Sequence, residues 1–398
     1  QLIPEFIFTE ENIGTESTDV QLLNRTDPSD EFTAEFENYQ AYAGLDAQVL
    51  DTVRAAVGVR YEDSLQTADS RQLITGVPLS TEIDEDYFLP AVTLTWEFAR
   101  NMQVRAAYSQ TISRPDLREI SPAQFLDPDR DDIIVGNPDL VNSEIDNYDI
   151  RWEWYFGERD QLTLGVFYKE IQNPIERVIT IRGDDLQFSF FNEAFFNPET
   201  GQASIVGVLP GTGTDFASQP GVERVNTEAE LIGVEFEIQK QLYFQDWFDL
   251  DVLPNKDFYI YGNASYINSE TNIDPRVANA LQLTSASRRL QGQSEIIVNS
   301  QFGWEDLVLG ERLNVAVNWQ SERLQEVGIQ GLPDVFERPP ILVDFLYSRE
   351  VEWADTLFKF TLKARNLLNE EEFLRQGGGV FENFDIGRSF SIGVSAKF

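Results

Sequence analysis

The 398 residues contain no cysteine and no histidine, and methionine occurs once, at Met102. Without cysteine there is no disulfide framework and no thiolate metal site. Without histidine the commonest general base and the commonest transition-metal ligand are missing, and a Ser-His arrangement is impossible. Basic residues are scarce too: 30 Lys and Arg stand against 68 Asp and Glu, a formal charge of −38. A chain this acidic is not built to bind nucleic acid, whose phosphates demand a basic patch. No run approaches the roughly 18 consecutive apolar residues of a membrane helix. The chain does not begin with Met and opens on no signal peptide, so it is read as a processed chain or a fragment.

What is present is a period of two. The chain closes on SFSIGVSAKF, where Phe390, Ile392, Val394, Ala396 and Phe398 share one parity and small or polar residues the other. Such alternation is a β-strand between two different solvents. Segments of this kind, near the roughly 10 residues of a tilted membrane strand, recur at 36–50, 52–63, 86–99, 102–112, 146–157, 160–172, 231–244, 257–269, 294–304, 311–321, 340–352, 356–366 and 388–398. In 311–321, Leu313, Val315, Val317 and Trp319 oppose Asn314, Ala316, Asn318 and Gln320. The segment 340–352 is apolar on both faces over much of its length.

The connections add a second pattern. Long ones (64–85, 113–145, 173–230, 270–293, 322–339, 367–387) alternate without exception with short ones. Strands joined by short links are antiparallel, so every long loop leaves from the same end of the sheet. That is the layout of an outer-membrane barrel, with periplasmic turns and extracellular loops. The sequence therefore predicts an all-β fold, an antiparallel transmembrane β-barrel whose apolar parity meets lipid and whose polar parity meets a wet lumen. If the last strand descends to the periplasm, so does 36–50. A rising strand then precedes it, with Leu2 to Phe8 as its remnant, and residues 1–35 hold a partial strand and an extracellular loop.

Three stretches carry a more specific likeness: VRAAYSQTISRPDLREISPAQF at 104–125 with GNPDL at 136–140 and NYDIRWEWY at 147–155, LGVFYKEIQNPIERV at 164–178, and FKFTLKARNLLNEEEF at 358–373 with the terminal aromatic. Together, from about residue 36 onward, they resemble the barrel of a TonB-dependent outer-membrane receptor. The resemblance implies a barrel of roughly 22 strands, of which about 13–14 are found here as the C-terminal portion over 36–398. It implies an N-terminal plug domain that binds TonB, which is absent from these residues. It implies the outer membrane of a Gram-negative bacterium, with lipid and lipopolysaccharide around the barrel. It further implies uptake of a scarce small-molecule nutrient, with an oligosaccharide favoured over a ferric siderophore. The terminal strand, with Phe390 and Phe398, resembles the signal that such proteins present to the barrel assembly machinery.

Candidate ligand-binding residues follow from position. Asp127, Asp129, Arg130, Asp131 and Asp132 crowd the loop 113–145, where a solvated acidic loop is the plainer reading than a Ca²⁺ site. Arg114, before Pro115, and the Gly136-Asn137-Pro138 run read as loop-shaping or ligand contacts. Phe190, Phe191 and Phe195 in the longest loop offer faces for a sugar or a catechol ring, or extend a strand. Arg105 and Arg151, with Arg54, Arg60, Lys359, Lys363 and Arg365, line a path for an anionic solute or pair with carboxylates. No catalytic residue, metal ligand or cofactor site is expected. The competing readings are a carboxylate-pair glycosidase, which nothing beyond abundant Asp and Glu favours, and a passive porin.

Overall fold

The computed structural model describes residues 31–71, 78–121, 124–126, 133–181, 195–197, 202–204, 220–244, 256–354 and 356–397. Thirteen long strands form the path of the main sheet: β1 Thr33–Leu50, β2 Val53–Arg71, β3 Pro78–Ala99, β4 Met102–Ser113, β5 Ser143–Tyr155, β6 Gln161–Ile181, β7 Pro220–Leu242, β8 Asp257–Asn272, β9 Ile296–Asp306, β10 Glu311–Gln320, β11 Leu342–Trp353, β12 Thr356–Arg365 and β13 Ser389–Lys397, with the short segments Gln124–Leu126, Ile133–Val135 and Ser287–Arg288 joined to it from the loops. The thirteen pair in chain order, each antiparallel to the next. All thirteen correspond to the thirteen alternating segments of the sequence. Among the described residues no ladder joins β1 to β13, so the wall is an arc of a barrel with two edges.

Register keeps the two parities apart across the arc. Val57 stands opposite Val92, Val92 opposite Tyr108, Tyr108 opposite Tyr148 and Tyr148 opposite Tyr168. Further along, Phe302, Val315, Phe345, Ala364 and Phe390 continue a single apolar row. Apart from the small Ala364, these side chains are partly or widely exposed, Phe302 at 39% and Phe390 at 67%, as a lipid-facing surface must be. The apolar core of a soluble sandwich has no counterpart here. The small buried clusters lie instead among the loops, around Ile120 and around Val178.

Strand lengths depart from the sequence expectation. The segments 64–85 and part of 173–230 read as loop, yet β2 runs on to Arg71, β3 begins at Pro78, β6 reaches Ile181 and β7 starts at Pro220. β3 has 22 residues and β7 has 23, about twice what a membrane crossing needs. Above the lipid both faces are wet or packed on loops, so the two-solvent alternation fades while the ladder continues. Asn173 adopts φ 54°, and the β6–β7 register slips between Asn226 and Glu228. This irregularity marks where the hairpin passes from wall to projection. The remnant strand expected at Leu2 to Phe8 lies outside the described residues.

The loops form a second layer. The connections after β10 and β12 build a four-stranded sheet from Arg323–Glu326, Val335–Arg338, Glu372–Gln376 and Gly379–Phe384, closed over buried Leu324, Val335 and Leu374. The connection after β8 holds a short helix, α2 at Pro275–Ala280, and contributes Ile273, Ala278 and Leu281 to the cluster around Val178 and Val225.

Candidate functional site

On the lumen parity the first half of the arc is charged and self-paired. Arg54 meets Asp46 at 2.6 Å and Arg60 meets Glu62 at 2.7 Å. Arg105 and Arg151 face each other across β4 and β5 and converge on buried Glu153, at 3.7 and 3.5 Å, while Arg151 also reaches Glu237 at 3.5 Å. Gln103 donates to Glu153 at 2.5 Å, and the Tyr155 hydroxyl donates to it as well. Glu153 is thus a hub with four partners near the short-turn end. Both arginines are about half exposed, so the pairs add little stability, but their charge is answered locally. At the far end of the arc, on β12, Lys359 is 3.7 Å from Glu350, and Lys363 and Arg365 share its lumen parity.

Part of the second half, on three adjacent strands, is neutral. From Tyr259 to Ser265, Ile297 to Gly303 and Asn314 to Gln320, the lumen-facing positions of β8, β9 and β10 carry no charge, in a chain that is 25% charged. Asn299 donates to the Asn263 amide oxygen at 2.8 Å, Asn263 to the Tyr261 hydroxyl at 3.3 Å, and Asn314 to the Tyr259 hydroxyl at 3.0 Å. The last bond crosses a whole strand, because a glycine lies beneath it. A Cβ on Gly303 would sit 2.6 Å from the Tyr259 hydroxyl oxygen. Tyr42 lies over Gly44 and Gly58, and Phe167 over Gly233, in the same manner. A ring over a glycine lies close against the sheet and protects the bare backbone beneath it.

The described parts of the loop between β4 and β5 bridge distant strands like a clasp. Arg114 donates to Glu62 at 2.7 Å and to Ser64, and its guanidinium lies 5.6 Å from the Phe36 ring centre. Gln66 donates to the Pro115 carbonyl at 3.0 Å. Asp116 caps the turn α1, Leu117–Ile120, in a reciprocal capping box with Glu119. Gly136 must be glycine, since a Cβ there would meet the Ser121 carbonyl oxygen at 1.7 Å. Asn137 donates to the Arg224 carbonyl at 2.8 Å, and Arg224 to Glu119 at 2.8 Å. The loop so spans from β2 to β7 on the concave side, with Ile120 and Leu140 packed on Ala68. Arg114 and Gly136-Asn137 are brought together in this clasp; Arg105 and Arg151 sit apart from it, at the other end of the lumen.

Two further ion pairs tie loops together. Arg288 donates to Glu176 at 2.6 Å with both side chains buried, and Arg177 stands 3.2 Å from Glu326. Burial pushes the Glu176 carboxyl above its ordinary range against the pull of Arg288. Burial and the neighbouring Glu337 raise Glu372 likewise.

Asp127, Asp129, Arg130, Asp131, Asp132, Phe190, Phe191 and Phe398 lie outside the described residues. Phe195 belongs to a short hairpin, Phe195–Asn197 with Gln202–Ser204. Phe390 stands on the apolar parity of β13 opposite Ala364. The described residues contain no cluster of three or more carboxylates placed to hold a metal ion. The neutral ladder of β8 to β10 is absent from the sequence-based candidates. Its signal was there, as Asn and Tyr on the polar parity of consecutive strands, but only register shows that they meet.

Comparison with known proteins agrees with this architecture. The family described as TonB dependent receptor-like, beta-barrel matches residues 8–366, beginning upstream of the stretch on which the resemblance was drawn. No curated protein sequence matches. Among solved structures, the siderophore receptor PiuA from Acinetobacter baumannii superposes with a TM-score of 0.56 at 13% identity, over 91% of this chain and 43% of that one. The ferric yersiniabactin uptake receptor FyuA from Yersinia pestis gives 0.54 at 14%, over 92% and 46%. The outer membrane transporter YddB from Escherichia coli gives 0.51 at 11%, over 92% and 55%. The chain therefore spans about half the length of the structures it resembles. With a meander of thirteen strands, one apolar face and a match over most of its length, the chain belongs to the TonB-dependent receptor β-barrel family of Gram-negative outer-membrane proteins.

Proposed function

We propose that this chain is the C-terminal part of the barrel of a receptor that takes up a neutral oligosaccharide, with residues 36–398 as wall and loops and 1–35 as a partial strand and extracellular loop. A plug domain carried elsewhere in the receptor would couple it to TonB, lipid and lipopolysaccharide would surround the apolar parity, and the barrel assembly machinery would read the strand bearing Phe390 and Phe398. The work is selective binding and passage, with no covalent step.

The observation that carries the saccharide reading is the pairing of the lumenal arginines of β2, β4 and β5. Arg54, Arg60, Arg105 and Arg151 each have a carboxylate of the same wall. An anionic ferric chelate needs uncompensated positive charge, whereas a neutral polyol needs amides, hydroxyls and ring faces. The second reading, a ferric-siderophore receptor, draws on the names of PiuA and FyuA, whose likeness at 13–14% identity is one of fold. Calorimetry on the full-length receptor against neutral oligosaccharides and ferric siderophores decides between them. Saccharide binding is expected. Siderophore binding alone would reverse the assignment, and ion conductance without TonB, with no ligand bound, would make the barrel a passive pore.

A further inference from the structure

We infer that the neutral ladder on β8, β9 and β10 is the saccharide subsite of this wall, with the Tyr259 ring as its stacking platform and Tyr261, Asn263, Asn299 and Asn314 as its hydrogen-bonding edge. This rests on the saccharide reading above and adds the place and the residues.

Three observations converge. First, the patch is uncharged across three adjacent strands, while the wall on one side presents Glu237 with Arg151 and that on the other presents Asp344, register partner of Ala316. Charge returns one layer toward the short turns, at Asp257, Glu305 and Arg312, so within the ladder itself hydroxyl groups are the complementary chemistry. Second, Gly303 removes the one side chain that would lift the Tyr259 ring off the sheet. The ring reaches across β9 to Asn314 and can stack on the apolar face of a pyranose. Third, the amides hold one another in line. Asn299, Asn263 and Tyr261 form a relay of two bonds. Each amide has two donors and an acceptor with two lone pairs, so the relay fixes orientation and leaves capacity for the adjacent hydroxyls of a sugar. All five side chains are partly exposed on the lumen side.

A competing occupant is the receptor's own lumenal plug, which the same groups would hold by polypeptide amides. The two differ in what each substitution changes. The experiment is calorimetry on the full-length receptor, with malto-, cello-, xylo- and galacto-oligosaccharides of three to six units and ferric citrate as the anionic comparison. Four variants are compared: Tyr259→Ala, Tyr259→Phe, Asn263→Ala with Asn299→Ala, and Ser109→Ala on the charged half as control. The β-sheet circular dichroism of the purified receptor establishes that each folds, and heat-modifiable gel mobility reports on the plug.

The expected result is binding of one neutral series, at least tenfold weaker in Tyr259→Ala and in the double asparagine variant. Tyr259→Phe, which keeps the platform, should lose less than Tyr259→Ala, and Ser109→Ala should bind as the parent does. Saccharide binding unchanged in folded ladder variants would overturn the subsite and leave the saccharide reading standing. Folded variants that alter only heat mobility would assign the ladder to the plug and overturn it likewise. Binding of ferric citrate with no saccharide bound, or no binding to either class, would overturn the ladder and the saccharide reading together.

Discussion

A buried ion pair is secured by its partner more than by its own Coulomb energy. Glu176 and Arg288 are 3% and 9% exposed, and the pair pins the connection after β8 to the β6 projection. Removing Arg288 strands a carboxylate among Val178, Val225 and Ile273. Arg288→Ala should therefore cost the loop layer about 3–5 kcal/mol, read as lost hydrogen-exchange protection over 286–293. Combining it with Glu176→Gln should restore much of the loss. Glu176 also has a definite pH signature. Burial raises its carboxyl above the ordinary 4.5, so the folded state holds this proton more tightly than the unfolded chain. Its contribution to stability is greatest below that ordinary value and falls as pH rises through the raised one. Glu176→Gln should flatten that slope in a series of unfolding midpoints taken from mildly acidic to neutral pH. A steeper slope in the variant would refute the assignment.

At the scale of elements, the clasp between β4 and β5 depends on a few apolar atoms and one glycine. Ile120 is fully buried against Leu140 and Ala68. Ile120→Ala should cost about 2–5 kcal/mol locally and loosen the amide of Asn137, which donates to the Glu119 carbonyl at 2.6 Å; hydrogen exchange at that amide is the check. Unchanged protection there would mean that polar contacts alone hold the loop. The existence and order of all thirteen strands was legible from alternation, because lipid and water impose opposite demands on neighbouring residues. The projections were not, because beyond the lipid that contrast disappears and the ladder runs on unmarked. Nor was the company each residue keeps. Asp146, Glu170, Glu230 and Glu270 lie more than 120 residues apart from first to last, yet register sets each opposite the next on adjacent strands. Likewise Arg114 reads from the sequence as a loop-shaping or ligand-contacting residue, and its partners Glu62 and Ser64 are some fifty residues away in the chain. Only pairing information distinguishes these outcomes.

At the scale of the whole molecule, β1 and β13 stand at opposite ends of the described arc. The 398 residues hold no cysteine, so an introduced pair reports only on itself. In the full-length receptor, Ala47→Cys with Ala55→Cys, which are register partners, should crosslink on oxidation. Ala47→Cys with Ala396→Cys, at matching depth on the two edge strands, should not. An efficient crosslink in the second variant would mean a closed ring of these strands and would restore the porin reading. The long hairpins carry another consequence. A strand of 22 residues measures roughly 70 Å, and at a tilt of about 45° it climbs about 50 Å, some twice the height of the apolar band. The β2–β3 ridge thus stands clear of the bilayer by about as much as it crosses. On a living cell that ridge and the equally long β6–β7 hairpin would be the parts of this wall that an antibody or a bacteriophage tail touches first.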